Sequence, residues 1–244
     1  MAARPTFIVA ICIWLAAIST ACAPKSQSSE TERAPAAPGP AQATAPVATQ
    51  PASAPPASAL PASAPDSRPV IVTFGDSLTQ GVSGKSYPAF LQDLLDQRGF
   101  SYRVDNQGVS GDTSTDGLAR IENVVAAKPA LVVLEFGGND GLRGVPVETT
   151  RANLDQMLAR LKSAGIPVVL AGITLPPNYG PDYVKPFTAL YPDLARKYKL
   201  RYLPFLLIHV YDKPGMMRPD GIHPTEDGNR IAARDVFDLI RPLL

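Results

Sequence analysis

From Val70 onward, short β-branched or aliphatic runs alternate with longer stretches whose apolar residues recur every three or four positions. The runs Val70–Phe74, Tyr102–Val104, Leu131–Phe136, Val168–Ile173 and Tyr202–Leu206 have the length and composition of buried strands. Between them, Phe90, Leu91, Leu94 and Leu95 mark one amphipathic helix, and Leu118, Ile121, Val124 and Val125 a second. A third is marked by Leu154, Met157, Leu158 and Leu161. Two more helices are predicted over Tyr183–Tyr198 and Thr225–Leu239, the last capped by Thr225 with Gly228 three residues on. Alternating strands and helices predict an α/β fold with a mostly parallel sheet covered on both faces.

Upstream of Val70 the pattern disappears. Pro24 to Ser67 is dominated by Pro, Ala, Ser, Thr and Gln, with a PASAP repeat and almost no large apolar residues. Such a stretch cannot bury a core and is expected to stay disordered. Extended in polyproline conformation, it reaches on the order of 100 Å. Before it, Arg4 precedes an apolar run from Phe7 to Ile18. That run is too short to span a bilayer comfortably but right for the core of an export signal. The expected organisation is a signal segment at 1–22, a linker at 23–67 and one folded domain at 68–244.

Composition narrows the function. A formal net charge of +1 offers no basic field for nucleic acid. Both cysteines, Cys12 and Cys22, lie in the export segment. From Ala23 onward neither a disulfide, a Cys-based zinc site nor a catalytic cysteine is possible. Two histidines this far apart in sequence suggest no metal site, and no cofactor is expected. Ser19-Thr20-Ala21-Cys22 resembles the bacterial lipobox, in which the cysteine is lipidated and becomes the mature N-terminus. Ser19 departs from that pattern, which prefers a branched aliphatic residue there. Ala21-Cys22-Ala23 also satisfies the small-x-small rule for ordinary cleavage after Ala23, which gives a soluble secreted protein. The expectation is an exported protein of the periplasm or cell envelope, monomeric and lipid-anchored to a membrane through Cys22.

Ligands of such sheets sit at the carboxyl ends of the strands, where the unusual loops of this chain fall. Gly75-Asp76-Ser77-Leu78 follows the first strand, Ser110-Gly111-Asp112-Thr113 the second, and Gly137-Gly138-Asn139-Asp140-Gly141 the third. Asp220-Gly221-Ile222-His223-Pro224 precedes the last helix. A serine hydroxyl needs an imidazole to take its proton and a carboxylate to hold that imidazole. Ser77, His223 and Asp220 supply those parts. The oxyanion of acyl transfer needs fixed donors, and the N–H groups of Ser77 and Gly111 and the amide of Asn139 suit that need. Asp76, Asp112 and Asp140 are read as braces for their loops, and His209, in an apolar setting, as a hydrogen-bonded core or groove residue. Met216 and Met217 fit either an acyl groove or plain packing.

These four blocks, in order, resemble those of the GDSL, or SGNH, hydrolases. SGDTSTDGLARI from Ser110, GGNDGLRG from Gly137, LPPNYG from Leu175, YPDLARKY from Tyr191 and DGIHP from Asp220 look like the bacterial thioesterase/lysophospholipase/arylesterase subgroup. The resemblance covers Val70 to Leu244. It implies a three-layer αβα sandwich with a five-stranded parallel sheet, and hydrolysis of small-molecule or lipid esters and thioesters. It further implies that the loop carrying Leu142 and Arg143 moves over the acyl chain, beside Tyr179. Alternatives are a carbohydrate O-acetyl esterase of the same superfamily and a non-catalytic envelope lipoprotein.

Overall fold

A computed structural model of the chain describes residues 66–244. The export segment, Cys22 and nearly all of the predicted linker lie outside the described residues. Five strands, β1 (Val70–Gly75), β2 (Arg103–Gly108), β3 (Leu131–Glu135), β4 (Val168–Ala171) and β5 (Arg201–Leu203), pair in parallel in the order β2-β1-β3-β4-β5. Seven α-helices accompany them: α1 (Ser77–Gln80), α2 (Tyr87–Gln97), α3 (Ser114–Ala126), α4 (Gly138–Leu142), α5 (Val147–Ser163), α6 (Pro181–Tyr198) and α7 (Glu226–Ile240). α2 packs on α7, while α3 packs on α5 and α5 on α6. Right-handed crossovers account for this grouping. The step from β1 to β2 runs one way along the sheet and the later steps run the other, so their helices take opposite faces. The result is the expected α/β sandwich.

β1, β3 and β4 are almost entirely buried. Covered on both faces, they read in sequence as unbroken apolar runs. β2 differs. It extends to Gly108 rather than ending at Val104, through the polar residues Asp105, Asn106 and Gln107, which pair with Val72, Thr73 and Phe74. An edge strand with partly exposed side chains carries no apolar period, and this hid its second half. Asn106 also gives its amide to the carbonyl of Thr79 at 3.0 Å. β5 stops at Leu203 because Pro204 has no N–H for a ladder.

The helices follow their apolar stripes: Phe90, Leu91 and Leu95 are buried on α2, and Leu154, Met157, Leu158 and Leu161 on α5. Thr225 caps α7, accepting from the Gly228 N–H at 3.3 Å. α3 starts with a capping box between Thr113 and Asp116. Helix α1, a single turn, follows the first strand directly, and α4, also a single turn, falls where the sequence pattern suggested only loop. Among the described residues no helix is long and apolar enough to cross a membrane.

The strand order reverses direction between β1 and β3, the crevice where open parallel sheets bind ligands. The segments leaving β1, β2 and β3 all open there.

Candidate active site

β1 delivers Gly75, Asp76 and Ser77 into the crevice. A Cβ at Gly75 would collide with the Thr79 hydroxyl and the Glu135 carboxyl, so only glycine allows so tight a passage. Asp76 caps α1, accepting from the Leu78 N–H at 2.9 Å. Ser77 then stands half-exposed at the mouth of the crevice.

The Ser77 Oγ lies 2.9 Å from the Nε2 of His223, although 146 positions separate them in sequence. The Nδ1 of His223 lies 3.1 Å from Oδ2 of Asp220. The other oxygen of Asp220 accepts from the backbone N–H groups of Ile222 and His223, both at 3.0 Å. Those bonds explain the spacing of three residues: one carboxylate folds the turn with one oxygen and orients the imidazole with the other. Partial burial pushes the Asp220 carboxyl up. The N–H bonds from His223 and Ile222 and the contact with the His223 ring outweigh it and hold the group at about 2. Asp220 is therefore an anion at any working pH, as an orienting carboxylate must be.

Ser77, Gly111 and Asn139 line the same pocket. The N–H groups of Ser77 and Gly111 have no hydrogen-bond partner among the described residues. Gly111 takes φ +86°, a left-handed conformation that favours glycine, and the guanidinium of Arg143 fixes its carbonyl at 3.0 Å. Asn139 anchors its amide nitrogen on the carbonyl of Asp112 at 2.9 Å. Its other contact, to Oδ2 of Asp76, is long at 3.3 Å.

The aspartates beside these residues brace the loops. Asp140 is fully buried and accepts from the N–H of Ser114 at 2.8 Å and from the hydroxyls of Ser114 and Thr150. Asp112 instead pairs with Arg120 at 2.8 Å. Arg120 also donates to the carbonyls of Gly75 and Gln107, at 2.9 and 2.8 Å, and lies over the ring of Phe74. It ties the loops after β1 and β2 together, a role for which one arginine on a helix gives no sequence signal.

A groove of about 280 Å³ runs from Ser77. Its walls are mainly apolar: Val82, Leu142, Ile173, Leu175, Phe205 and Tyr211 stand out. Leu142 was singled out from the sequence; the others look there like ordinary core residues and only the fold separates them. Arg143, Tyr179 and Met217 do not line the groove. Arg143 is engaged with Gly111, and the Tyr179 hydroxyl donates to the carbonyl of Leu142 at 3.2 Å, beside the segment that resemblance assigned to it. Met217 bridges to Pro224 and packs on the core, so plain packing describes its place. His209 is hydrogen-bonded as expected, to Asp235 at 3.0 Å, but on the surface rather than in core or groove. Its ring lies on the outer side of a turn whose apolar neighbours Leu206, Leu207 and Val210 take the buried positions.

A family of GDSL-like lipases and acylhydrolases matches residues 73–231. The chain is 41% identical over 178 residues to esterase TesA of Pseudomonas aeruginosa, covering 71% of this chain and 89% of that one. It is 38% identical over 178 residues to thioesterase 1/protease 1/lysophospholipase L1 of Escherichia coli, covering 71% and 84%. The crystal structure of TesA superposes with a TM-score of 0.69 at 41% identity, covering 72% of this chain and 99% of that one. With four motif blocks gathered at one crevice and likeness along the whole folded part, the chain belongs to the GDSL-like lipase/acylhydrolase family and is a carboxylic ester hydrolase.

Proposed function

We propose that Ser77 is the nucleophile of a two-step hydrolysis of esters and thioesters with a medium-length acyl or aryl group. The observation that carries this is the line from Ser77 Oγ to His223 Nε2 at 2.9 Å and from His223 Nδ1 to Asp220 at 3.1 Å, at the mouth of an apolar groove. Ser77 Oγ attacks the acyl carbon as His223 Nε2 takes its proton, and the negative oxygen is received by the N–H groups of Ser77 and Gly111 and the amide of Asn139. His223 passes the proton to the leaving alcohol or thiol, and the C–O or C–S bond breaks to leave an acyl-serine. Water, deprotonated by His223, then releases the acid and restores Ser77.

The groove is close to twice the ~150 Å³ that holds one benzene ring, which suits an acyl group of roughly ten carbons. A p-nitrophenyl ester series should therefore show kcat/KM rising from acetate towards the middle-length chains, by about 0.8 kcal/mol or nearly fourfold for each buried methylene. A maximum at acetate, with release of acetate from acetylated oligosaccharides at a higher kcat/KM, would favour the carbohydrate esterase reading instead. The apolar walls argue against it, because a sugar needs polar partners along the groove.

The Ser19–Cys22 pattern supports export and lipid attachment at Cys22. Intact mass of the mature protein from its host should show a diacylglycerol-sized adduct on an N-terminal Cys22. An unmodified N-terminus at Pro24 would replace the anchor with a soluble secreted form.

A further inference from the structure

Glu135, the last residue of β3, is completely buried and has no part in the chemistry set out above. Its Oε2 accepts from the backbone N–H of Asp76 at 3.2 Å and from the Thr79 hydroxyl at 2.8 Å. These two partners bracket Ser77 in the chain. Thr79 in turn lies 3.4 Å from the hydroxyl of Tyr87, itself fully buried. The second oxygen, Oε1, has no partner. An ionised carboxylate keeps its charge in such surroundings only with a cation or with donors around both oxygens. The guanidinium of this region, Arg120, is committed to Asp112 and to the carbonyls of Gly75 and Gln107. The other ionisable groups whose charges bear on Glu135 are Asp76, at the end of β1, Tyr87 on α2 and Tyr191 on α6.

Burial first, and then the charge of Asp76, raise the Glu135 carboxyl well above the usual carboxylate range. Burial raises Asp76 as well, to about 6, with the Leu78 N–H and the proximity of His223 limiting the rise. The proton of the pair therefore belongs to Glu135. Asp76 carries the link outward, accepting from the Asn139 amide at 3.3 Å. The collision that a Cβ at Gly75 would make with Glu135 shows how closely the turn is built on this carboxyl.

We propose that Glu135 is a positioning residue for ester hydrolysis, a buried carboxyl beneath the Gly75–Ser77 turn that sets the place of the Ser77 hydroxyl and N–H and, through Asp76, of the Asn139 amide. This rests on the reading of Ser77 as nucleophile. The test compares Glu135→Ala, Glu135→Gln and Thr79→Val in the full-length protein with wild type and Ser77→Ala, on a p-nitrophenyl ester. Glu135→Ala should lose on the order of 10²-fold in kcat, the cost of a slightly misplaced reacting group, with KM within about twofold. Glu135→Gln keeps a neutral planar group with an acceptor and an N–H donor, and should retain kcat within about threefold.

The Gln variant has a second signature. An acid raised in the folded state contributes fully below its unfolded value near 4.3, and its contribution falls as pH rises towards the folded value. Glu135→Gln removes that fall, so its Tm relative to wild type should rise with pH above the unfolded value, by roughly 3–5 °C per pH unit for as long as the folded wild type keeps its proton. A folded Glu135→Ala with wild-type kcat overturns the proposal. So does a Gln variant as slow as the Ala variant, or a Tm difference that stays flat with pH. Should Glu135→Ala fail to fold, Thr79→Val decides: it removes the 2.8 Å bond to Glu135 and should cost about tenfold in kcat at unchanged KM. Wild-type kcat in that variant overturns the link. An active Ser77→Ala would sink the nucleophile reading itself, whereas an inactive one beside unaffected Glu135 and Thr79 variants would sink only this inference.

Discussion

Ser77→Ala should lower kcat on soluble esters by on the order of 10⁵- to 10⁶-fold, because without the hydroxyl no acyl-enzyme can form and only binding and the oxyanion donors remain. The fold should be untouched. Ser77 is half-exposed, and its hydroxyl has one side-chain partner, His223 at 2.9 Å. The loss of that bond changes stability by about 1 kcal/mol at most. A fluorophosphonate should label the wild-type protein once, on Ser77, and should not label the variant. Mapping of the adduct to any other residue, or a variant that keeps more than a trace of turnover, would move the nucleophile elsewhere. His223→Ala should be almost as damaging, since serine and base act as a unit and their effects do not add.

Asn139→Ala comes next in size. A single oxyanion donor in a preorganised site is worth about 2.7–4 kcal/mol, so kcat should fall by roughly 10²- to 10³-fold. KM should change little, because the charge it receives exists only in the transition state. The same side chain also holds the carbonyl of Asp112 at 2.9 Å. Some loss of stability, about 1 kcal/mol, is therefore expected alongside. Two measurements separate these effects. If Asn139 serves the oxyanion, the rate of labelling by a fluorophosphonate should fall together with kcat, since the developing charge on phosphorus-bound oxygen meets the same donors. If it only braces the loop, KM and Tm should carry the change and the labelling rate should hardly move.

How much of this was legible beforehand differs from element to element. The strands buried on both faces, β1, β3 and β4, announce themselves as apolar runs, and helices such as α5 by buried residues at helical spacing. Their alternation alone carries the α/β class, because parallel neighbours need a crossover long enough to hold a helix. The second half of β2 was illegible. Asp105, Asn106 and Gln107 belong to the sheet through backbone pairing, which leaves no mark on side-chain type. The four candidate blocks stood out because each departs from what packing requires: glycines, a serine and an asparagine at strand ends, and an aspartate three residues before a histidine.

The fold class, the four candidate loops and the residue types able to move a proton and receive a charge are thus readable along the chain. Those follow from local periodicity and from chemistry that few side chains possess. Tertiary folding set the distances and neighbourhoods. It brought Ser77 within 2.9 Å of a histidine 146 positions away, turned Val82, Phe205 and Tyr211 from anonymous apolar residues into groove walls, and placed Glu135 and Arg120 beneath the site. Burial and long-range hydrogen bonding depend on which segments the sheet order places side by side. That order is fixed by the packing of the folded residues together, not by any one stretch of them.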